Sequence, residues 1–168
     1  MAEAAFNIAE KFGFTQMDQD MFAINSHVNA LNSKKYLIDE IVSIGPESTL
    51  FDPYARNLNL KLCERAPKLF GSITYANTAI SADAASFVVI CKDILKGRKA
   101  LKLISGATVG ANPKLPGLAP LTAIEEVFQA SGLRQKNINQ VEVMEAYASQ
   151  AMACLSESGL GNVKTNPK

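Results

Sequence analysis

The side chains that could act as nucleophiles or bases are few and widely spaced. The chain has one histidine, His27, and three cysteines, Cys63, Cys91 and Cys154. A cysteine nucleophile needs a base within hydrogen-bond reach, and a lone histidine inside a helix is more often a packing or surface residue. Cys91 ends an apolar run and Cys154 falls on an apolar helix face, so both are expected to be buried thiols. These residues alone predict no complete active site.

Metal-binding and nucleotide-binding motifs are missing from the sequence. It contains no CxxC pair, no GxGxxG and no GxxxxGK[ST] loop, so no zinc site and no phosphate-binding loop is predicted. The spacing of the cysteines implies no disulfide framework and favours a reducing compartment. Glu145 is expected to open a helix, where a carboxylate interacts favourably with the helix dipole. We expect no metal cofactor.

Helical spacing and capping signals predict two helices near the start of the chain. Gly13 is placed to end the first helix. Thr15 and Asp18 have the form of a capping box ahead of a second helix that runs to about Lys35. Each helix is expected to bury one apolar stripe. The stripes are Ala5, Ile8, Ala9 and Phe12 on the first, and Met17, Met21, Ile24, Val28 and Leu31 on the second.

Strand-like segments alternate with further helices along the rest of the chain. The predicted strands are residues 38–44 (IDEIVSI), 86–91 (SFVVIC), 99–111 (KALKLISGATVGA) and 137–143 (NINQVEV), and the predicted helices are residues 121–133 and 144–160. SFVVIC is apolar after its serine, which is typical of a strand buried on both faces. Residues 45–70 are expected to be irregular because prolines and glycines interrupt them. The alternation favours an α/β layered fold.

The length is that of one domain or of pieces of two, and the composition predicts no strongly charged partner. Its 168 residues carry 17 Lys and Arg against 16 Asp and Glu, a net charge of +1, which predicts neither nucleic-acid nor anionic-membrane binding. The apolar runs are too short to cross a bilayer, and the amino terminus does not have the pattern of a signal peptide. The sequence therefore predicts a cytoplasmic protein.

Five segments, in order, resemble motifs of the thiolase family. Residues 1–30 resemble the stretch that ends in QDxFAxxSH, residues 36–44 resemble the GxFxDEIVPV strand, and residues 74–86 resemble TAGNASGxNDGAA. Residues 106–133 resemble the ATxGxxPxxMGxGP segment and the helix after it. Residues 138–155 resemble DIDxVExNEAFAAQxLA. The resemblance implies an α/β, thiolase-like layered αβαβα fold, incomplete here, with a helical loop-domain segment.

The resemblance implies acyl transfer between coenzyme A thioesters, of the acetyl-CoA acetyltransferase type. Coenzyme A is then a substrate, and the partner is a homo-oligomer or the rest of a parent thiolase. The family's nucleophilic cysteine motif, its GHP histidine and its CxG cysteine have no match in this chain, so the chain is interpreted as a central fragment that is inactive alone. The alternative is a thiolase-fold protein without condensing activity that binds acyl-CoA or another protein.

The resemblance also divides the chain into three regions. Residues 1–70 correspond to the loop region that covers the coenzyme, and residues 71–95 correspond to the end of the amino-terminal core domain. Residues 96–168 correspond to the first part of the carboxyl-terminal core domain.

Candidate site residues follow from the same resemblance. The predicted coenzyme-binding residues are Arg56, near the nucleotide end, and Tyr75, Ala76, Ala79 and Ile80, in a small-residue turn along the pantetheine arm. The predicted substrate pocket contains Pro116, Glu145, Ala146 and Tyr147. Met144 takes the position of an asparagine that holds a water in an oxyanion hole. Methionine has no N–H donor, so this position departs from the family.

Overall fold

The computed structural model describes residues 1–45, 50–92 and 100–167. Its elements are α1 (Ala2–Phe12), α2 (Gln16–Leu37), α3 (Leu60–Glu64), β1 (Lys68–Phe70), β2 (Ile73–Thr74), a 3-10 turn (Pro116–Leu118), α4 (Ala119–Ser131), a second 3-10 turn (Gln135–Asn137), β3 (Gln140–Val141), α5 (Ala148–Glu157) and β4 (Lys164–Thr165). Strands β1 and β2 pair antiparallel, and β3 and β4 pair parallel. The mixture of helices and short strands confirms an α/β protein.

The predicted boundary between α1 and α2 is confirmed in detail. Gly13 ends α1 in the left-handed conformation, at φ 70°, where glycine carries no Cβ penalty. The Asp18 backbone N–H donates to the Thr15 hydroxyl at 3.2 Å, and the Thr15 backbone N–H donates to the Asp18 carboxylate at 2.8 Å. This reciprocal capping box satisfies two donors that the first turn leaves unpaired.

The predicted apolar stripe of α2 is wrong. Met17, Met21 and Val28 are exposed, while the buried residues of the helix are Gln19, Asp20, Ala23 and Ser33. The polar members of this face are buried because they meet distant hydrogen-bond partners. The Gln19 amide donates to the Ser72 hydroxyl at 3.0 Å, and the Ser33 hydroxyl donates to the Pro167 carbonyl at 2.9 Å.

The packed centre of the described chain joins α1 to α5. Ile8 on α1 and Ala151 and Cys154 on α5 are buried, and the Ser149 hydroxyl donates to the Ala5 carbonyl at 2.9 Å. The first 3-10 turn packs on the same surface: a Cβ at Gly117 would lie 2.8 Å from Cδ1 of Ile8. A second cluster, at the α2–α3 contact, consists of Ala23, Leu58, Cys63 and Ala76.

Three predicted strands are not strands in the described residues. Residues 38–44 form a turn and then irregular chain, residues 86–91 are irregular, and so are residues 100–111. The prediction that SFVVIC is buried is also wrong, since Phe87 is 95% exposed and Cys91 is exposed. A strand needs a neighbour for its backbone groups, and none pairs with these segments in the part that the structure describes. The prediction that residues 45–70 are irregular is wrong in part, because α3 and β1 lie within them. Residues 46–49 of that segment, and residue 99, lie outside the described residues.

The carboxyl-terminal elements follow the prediction with one shift. Helix α4 begins at Ala119 and is capped by Gly132 at φ 69°, and β3 lies within the predicted strand. Helix α5 begins at Ala148 rather than at residue 144. Glu145 therefore does not open a helix, and Met144 is 79% exposed. No helix of the described ranges is long and apolar enough to cross a membrane.

Candidate functional site

A groove of about 740 Å³ lies between four parts of the chain. Its walls are α2, the loop 51–56, the segment 75–84 and the approach to α5 at residues 144–148. The volume falls within the range of small-molecule clefts in proteins. The residues of α2 that line the groove are Phe22, Ala23, Ser26, His27 and Ala30.

Two segments some seventy residues apart are joined at this groove by backbone hydrogen bonds. The Ala79 N–H donates to the Ala146 carbonyl at 3.1 Å, and the Ala148 N–H donates to the Asn77 carbonyl at 3.0 Å. Between these bonds Thr78 and Tyr147 form an antiparallel bridge. The bridge holds Tyr147 in an extended conformation, which explains why α5 begins only at Ala148.

The structure brings most of the predicted site residues to one place. The groove is lined by Arg56, Tyr75, Ala76, Ala79 and Ile80, and by Met144 and Glu145. Ala146 and Tyr147 lie directly beside it in the backbone bridge. Pro116 is not among the lining residues: it begins the 3-10 turn that packs against α1 and α5.

A buried polar cluster, Asp20, Thr74 and Asn77, supports the small-residue turn. The Asn77 amide donates to the Asp20 carboxylate at 2.9 Å and to the Ser72 carbonyl at 3.2 Å, and its oxygen accepts the Thr74 N–H at 2.9 Å. The cluster fixes the turn on the buried face of α2. Sequence reasoning missed Asn77 because its partner Asp20 is 57 positions away.

The single histidine lines the groove rather than lying on an unrelated surface. Its Nδ1 accepts the backbone N–H of Arg56 at 3.4 Å. Partial burial and the nearby Arg56 guanidinium lower the pKa of His27, while the carboxylates of Asp52 and Glu145 act in the opposite direction. The neutral imidazole is thereby favoured, since burial penalises the charged form.

Asn166 is a second residue that sequence reasoning missed. Its side-chain amide donates to the Val143 carbonyl at 2.9 Å and to the Glu145 carboxylate, and its side-chain oxygen accepts the Val143 N–H at 2.7 Å. Its backbone adopts φ 41°, a left-handed conformation that asparagine tolerates better than most residues. The only local signal for it is the dipeptide Asn166-Pro167 after β4.

The two buried cysteines, Cys63 and Cys154, are not arranged as nucleophiles. Burial raises the pKa of the Cys63 thiol, with Asp20 acting in the same direction, and burial raises the pKa of Cys154. The Cys154 thiol donates to the Gly117 carbonyl at 3.4 Å. Cys63 and Cys154 are therefore held as thiols, the unreactive form. Over the described ranges no group of three or more His, Cys, Asp or Glu residues could hold a metal ion.

Comparisons with a family model and with curated proteins both match this chain to thiolases. A family model described as "Thiolase, C-terminal domain" matches residues 98–168. The chain is 30% identical to a beta-ketoadipyl-CoA thiolase of Acinetobacter baylyi, over 99% of this chain and 46% of that protein. It is 29% identical to a peroxisomal 3-ketoacyl-CoA thiolase of Encephalitozoon cuniculi, over 99% and 45%.

Solved thiolase structures superpose on the same length of chain. An acetyl-CoA acetyltransferase of Syntrophomonas wolfei matches with a TM-score of 0.76 at 25% identity, over 99% of this chain and 47% of that one. The human mitochondrial 3-ketoacyl-CoA thiolase, solved in complex with CoA, matches with a TM-score of 0.80 at 23% identity, over 99% and 45%.

These matches define an α/β protein with part of the thiolase fold. The chain is similar to members of the thiolase family over nearly its whole length, and it spans about half the length of the curated relatives that it matches.

Proposed function

We propose that this chain forms the coenzyme-covering side of a thiolase that transfers acyl groups between coenzyme A thioesters. The observation that carries the proposal is the groove, where Arg56, the turn 75–80 and Met144 with Glu145 line one cavity. The named relatives act in this class of reaction, and one solved neighbour holds CoA. An acetyl-CoA acetyltransferase type of reaction in fatty-acid metabolism is the form that we favour.

The charges of the groove indicate weak coenzyme binding by this chain alone. Arg56 supplies one fixed cation to the lining, and Lys34 lies close by, its ammonium 3.6 Å from the ring centre of Phe51. Three carboxylates line the same groove, those of Asp52, Asp83 and Glu145. A coenzyme with several phosphates would meet both positive and negative side chains in this groove. Attraction of its nucleotide end therefore depends on the two cations, Arg56 and Lys34.

A second function is favoured by one side chain. Met144 stands where the family resemblance implies an asparagine, and a thioether donates no hydrogen bond. Loss of one donor from an oxyanion hole reduces transition-state stabilisation by about 2.7–4 kcal/mol in a well-studied protease. A non-catalytic thiolase-fold protein that binds acyl-CoA or another protein is therefore the alternative. Restoring the donor with Met144→Asn in the whole protein separates the two, since only an enzyme gains turnover.

We also propose the setting in which the groove works. Residues 1–70 form the coenzyme-covering region, residues 71–95 belong to the amino-terminal core domain, and residues 96–168 belong to the carboxyl-terminal core domain. The protein acts in the cytoplasm, either as a homo-oligomer or with the rest of a thiolase, without nucleic-acid, membrane or metal partners. Pro116, Glu145, Ala146 and Tyr147 contribute to the substrate pocket.

The 168-residue chain is expected to show no thiolysis of acetoacetyl-CoA. The reason is chemical: Cys63 and Cys154 are held as buried thiols, and the described residues show no hydrogen bond between a cysteine and His27. The measurement is loss of acetoacetyl-CoA at high protein concentration with added CoA. A heat-treated sample is the control. Turnover well above that control would contradict the proposal for the isolated chain.

The groove itself is tested by coenzyme binding. We expect a dissociation constant of about 1 mM or weaker, a free energy near −4 kcal/mol, measured by ligand-detected NMR titration. Arg56→Ala should weaken binding about two- to fivefold, the size expected for one exposed charge contact. Lys102→Ala removes the same charge outside the groove and is the matched control. Micromolar affinity, or equal losses in both variants, would show that coenzyme binds elsewhere or differently.

A further inference from the structure

Asn166 connects three separate parts of the structure through its hydrogen bonds. Its backbone N–H donates to the Val141 carbonyl at 2.9 Å, next to the β3–β4 pair. Its side chain pairs with both backbone groups of Val143. Its carbonyl accepts from the Asn29 amide of α2 at 3.1 Å. The remaining side-chain bond runs from its amide to the Glu145 carboxylate.

The pattern requires an asparagine for a geometrical reason. A side-chain amide carries a donor and an acceptor in one plane, so at Val143 it takes the place of a peptide group and continues the pairing of β3 with β4 by one step. Its second N–H is then free to reach Glu145. The left-handed φ of 41° is compatible with asparagine or glycine, but glycine has no amide to bond with Val143 or Glu145.

We propose that Asn166 is a positioning residue that holds the Glu145 carboxylate in the groove beside His27. Its importance for catalysis rests on the proposed thiolase function, but the placement itself does not. By fixing the backbone of Val143 and the side chain of Glu145, Asn166 also sets where Met144, between them, enters the groove. The residue that follows β4 thereby determines the shape of the groove wall formed by residues 144–148, opposite the proposed coenzyme-covering region.

The imidazole of His27 reports on this placement because the chain has no other histidine. The ionisable groups that line the same groove are Asp52, Arg56 and Tyr54 from the loop, Tyr75 and Asp83 from the turn segment, and Glu145. Of these, Arg56 lowers the pKa of His27, whereas Asp52 and Glu145 raise it. Removing or releasing the Glu145 carboxylate must therefore lower the pKa of His27.

The experiment follows the titration of His27 in the full 168-residue chain without any coenzyme. The rate of carbethoxylation by diethyl pyrocarbonate, read by mass spectrometry across pH, reports the neutral imidazole. Glu145→Gln, which keeps an acceptor for Asn166, should lower the pKa of His27. Asn166→Gly, which suits the backbone conformation, should lower it by a comparable amount. The double variant should show no shift beyond that of Glu145→Gln, because both changes act through one carboxylate.

Ser33→Ala is the matched control, since it removes a neighbouring bond between α2 and the same terminal segment, to the Pro167 carbonyl. It should leave the pKa of His27 unchanged. The proposal is overturned if Asn166→Gly does not move the pKa of His27, if it adds a further shift in the Glu145→Gln background, or if Glu145→Gln itself has no effect.

A second measurement keeps the proposal testable if Asn166→Gly fails to fold, as judged by circular dichroism. In the unaltered chain, the side-chain amide protons of Asn166 should shift in NMR spectra as Glu145 is protonated, and this shift should vanish in Glu145→Gln. An unmoved amide signal would overturn the proposal. Failure of the proposed function would show instead in the coenzyme titration, which none of these readouts uses.

Discussion

Asn77→Ala is expected to destabilise the chain by about 2–4 kcal/mol, because it leaves a buried carboxylate and a buried N–H without their partner. Asn77 is 2% exposed and Asp20 is 4% exposed. The variant loses the bonds to Asp20, to the Ser72 carbonyl and to the Thr74 N–H together. The remaining contact of the Asp20 carboxylate is a 3.4 Å bond from Gln16. Urea denaturation followed by circular dichroism measures the loss.

A matched substitution separates this effect from the general effect of removing an asparagine. Asn112 is exposed, and within the described ranges its side chain accepts the Lys114 N–H at 2.9 Å, so Asn112→Ala should change stability by about 0.5 kcal/mol or less. Asp20→Asn keeps the shape and an acceptor for Asn77, and should lose less than Asn77→Ala. A loss for Asn77→Ala no greater than for Asn112→Ala would show that the Asp20–Asn77 pair is not buried in solution.

The same substitution has a functional consequence at the groove. The Asn77 carbonyl accepts the Ala148 N–H at the start of α5, so the turn that carries Tyr75 to Ile80 and the segment of Met144 and Glu145 move together if Asn77 is displaced. Even a folded variant should therefore have an altered groove. Asn77 therefore belongs both to the buried polar cluster and to the lining of the groove.

Helix boundaries that carry a capping signal were predictable from the sequence, because such signals act within one turn, whereas the start of α5 was not. Gly13 ended its helix as expected, Gly132 ends α4 in the same way, and the Thr15–Asp18 capping box is present. Each of these contacts joins residues at most a few positions apart. Local chemistry therefore suffices, whatever the rest of the chain does.

Strands and burial were not predictable in the same way, because both depend on distant partners. SFVVIC has the composition of a buried strand, yet Phe87 is exposed and no strand of the described residues pairs with it. On α2 the spacing of the apolar residues predicted the wrong face of the helix to be buried. The buried face holds Gln19 and Asp20, whose partners Ser72 and Asn77 lie more than 50 positions away.

For the candidate site, the family resemblance was more informative than the residues alone. Arg56, residues 75–80 and Glu145, which the resemblance singled out, line one groove, and their binding roles there stay predictions. Asn166, by contrast, acts through contacts with Val143 and Glu145 across more than 20 positions. No residue-type pattern marks such a bond before the fold is known.

Gly71→Ala should destabilise the chain by about 2–4 kcal/mol, the sum of a left-handed backbone penalty and a steric clash. Gly71 has φ 54°, and a Cβ built there would lie 2.3 Å from two ring carbons of Phe6. That ring cannot simply turn away, because it packs edge-on against Phe70 with ring centres 5.4 Å apart. The turn between β1 and β2 must therefore move. Thermal and urea unfolding measure the effect.

Substitutions at two other glycines allow the backbone penalty and the steric clash to be measured separately. Gly13 has a similar φ of 70° with no heavy atom within 4 Å of a built Cβ, so Gly13→Ala measures the backbone penalty alone, about 1 kcal/mol. Gly110 also has open space and no left-handed φ, and Gly110→Ala should be nearly neutral. Equal losses for Gly71→Ala and Gly13→Ala would show that Phe6 does not pack over the turn.

The source of the clash can then be tested directly with a double variant. Phe6→Ala removes the Cγ and the ring carbons that a Cβ at Gly71 would approach, so in that background Gly71→Ala should lose only the backbone penalty, about 1 kcal/mol. Additive losses would instead assign the whole effect to the backbone conformation. Because Phe6 lies on α1 and Gly71 lies in the turn before β2, a coupled result also shows that α1 is docked on the segment leading into the groove.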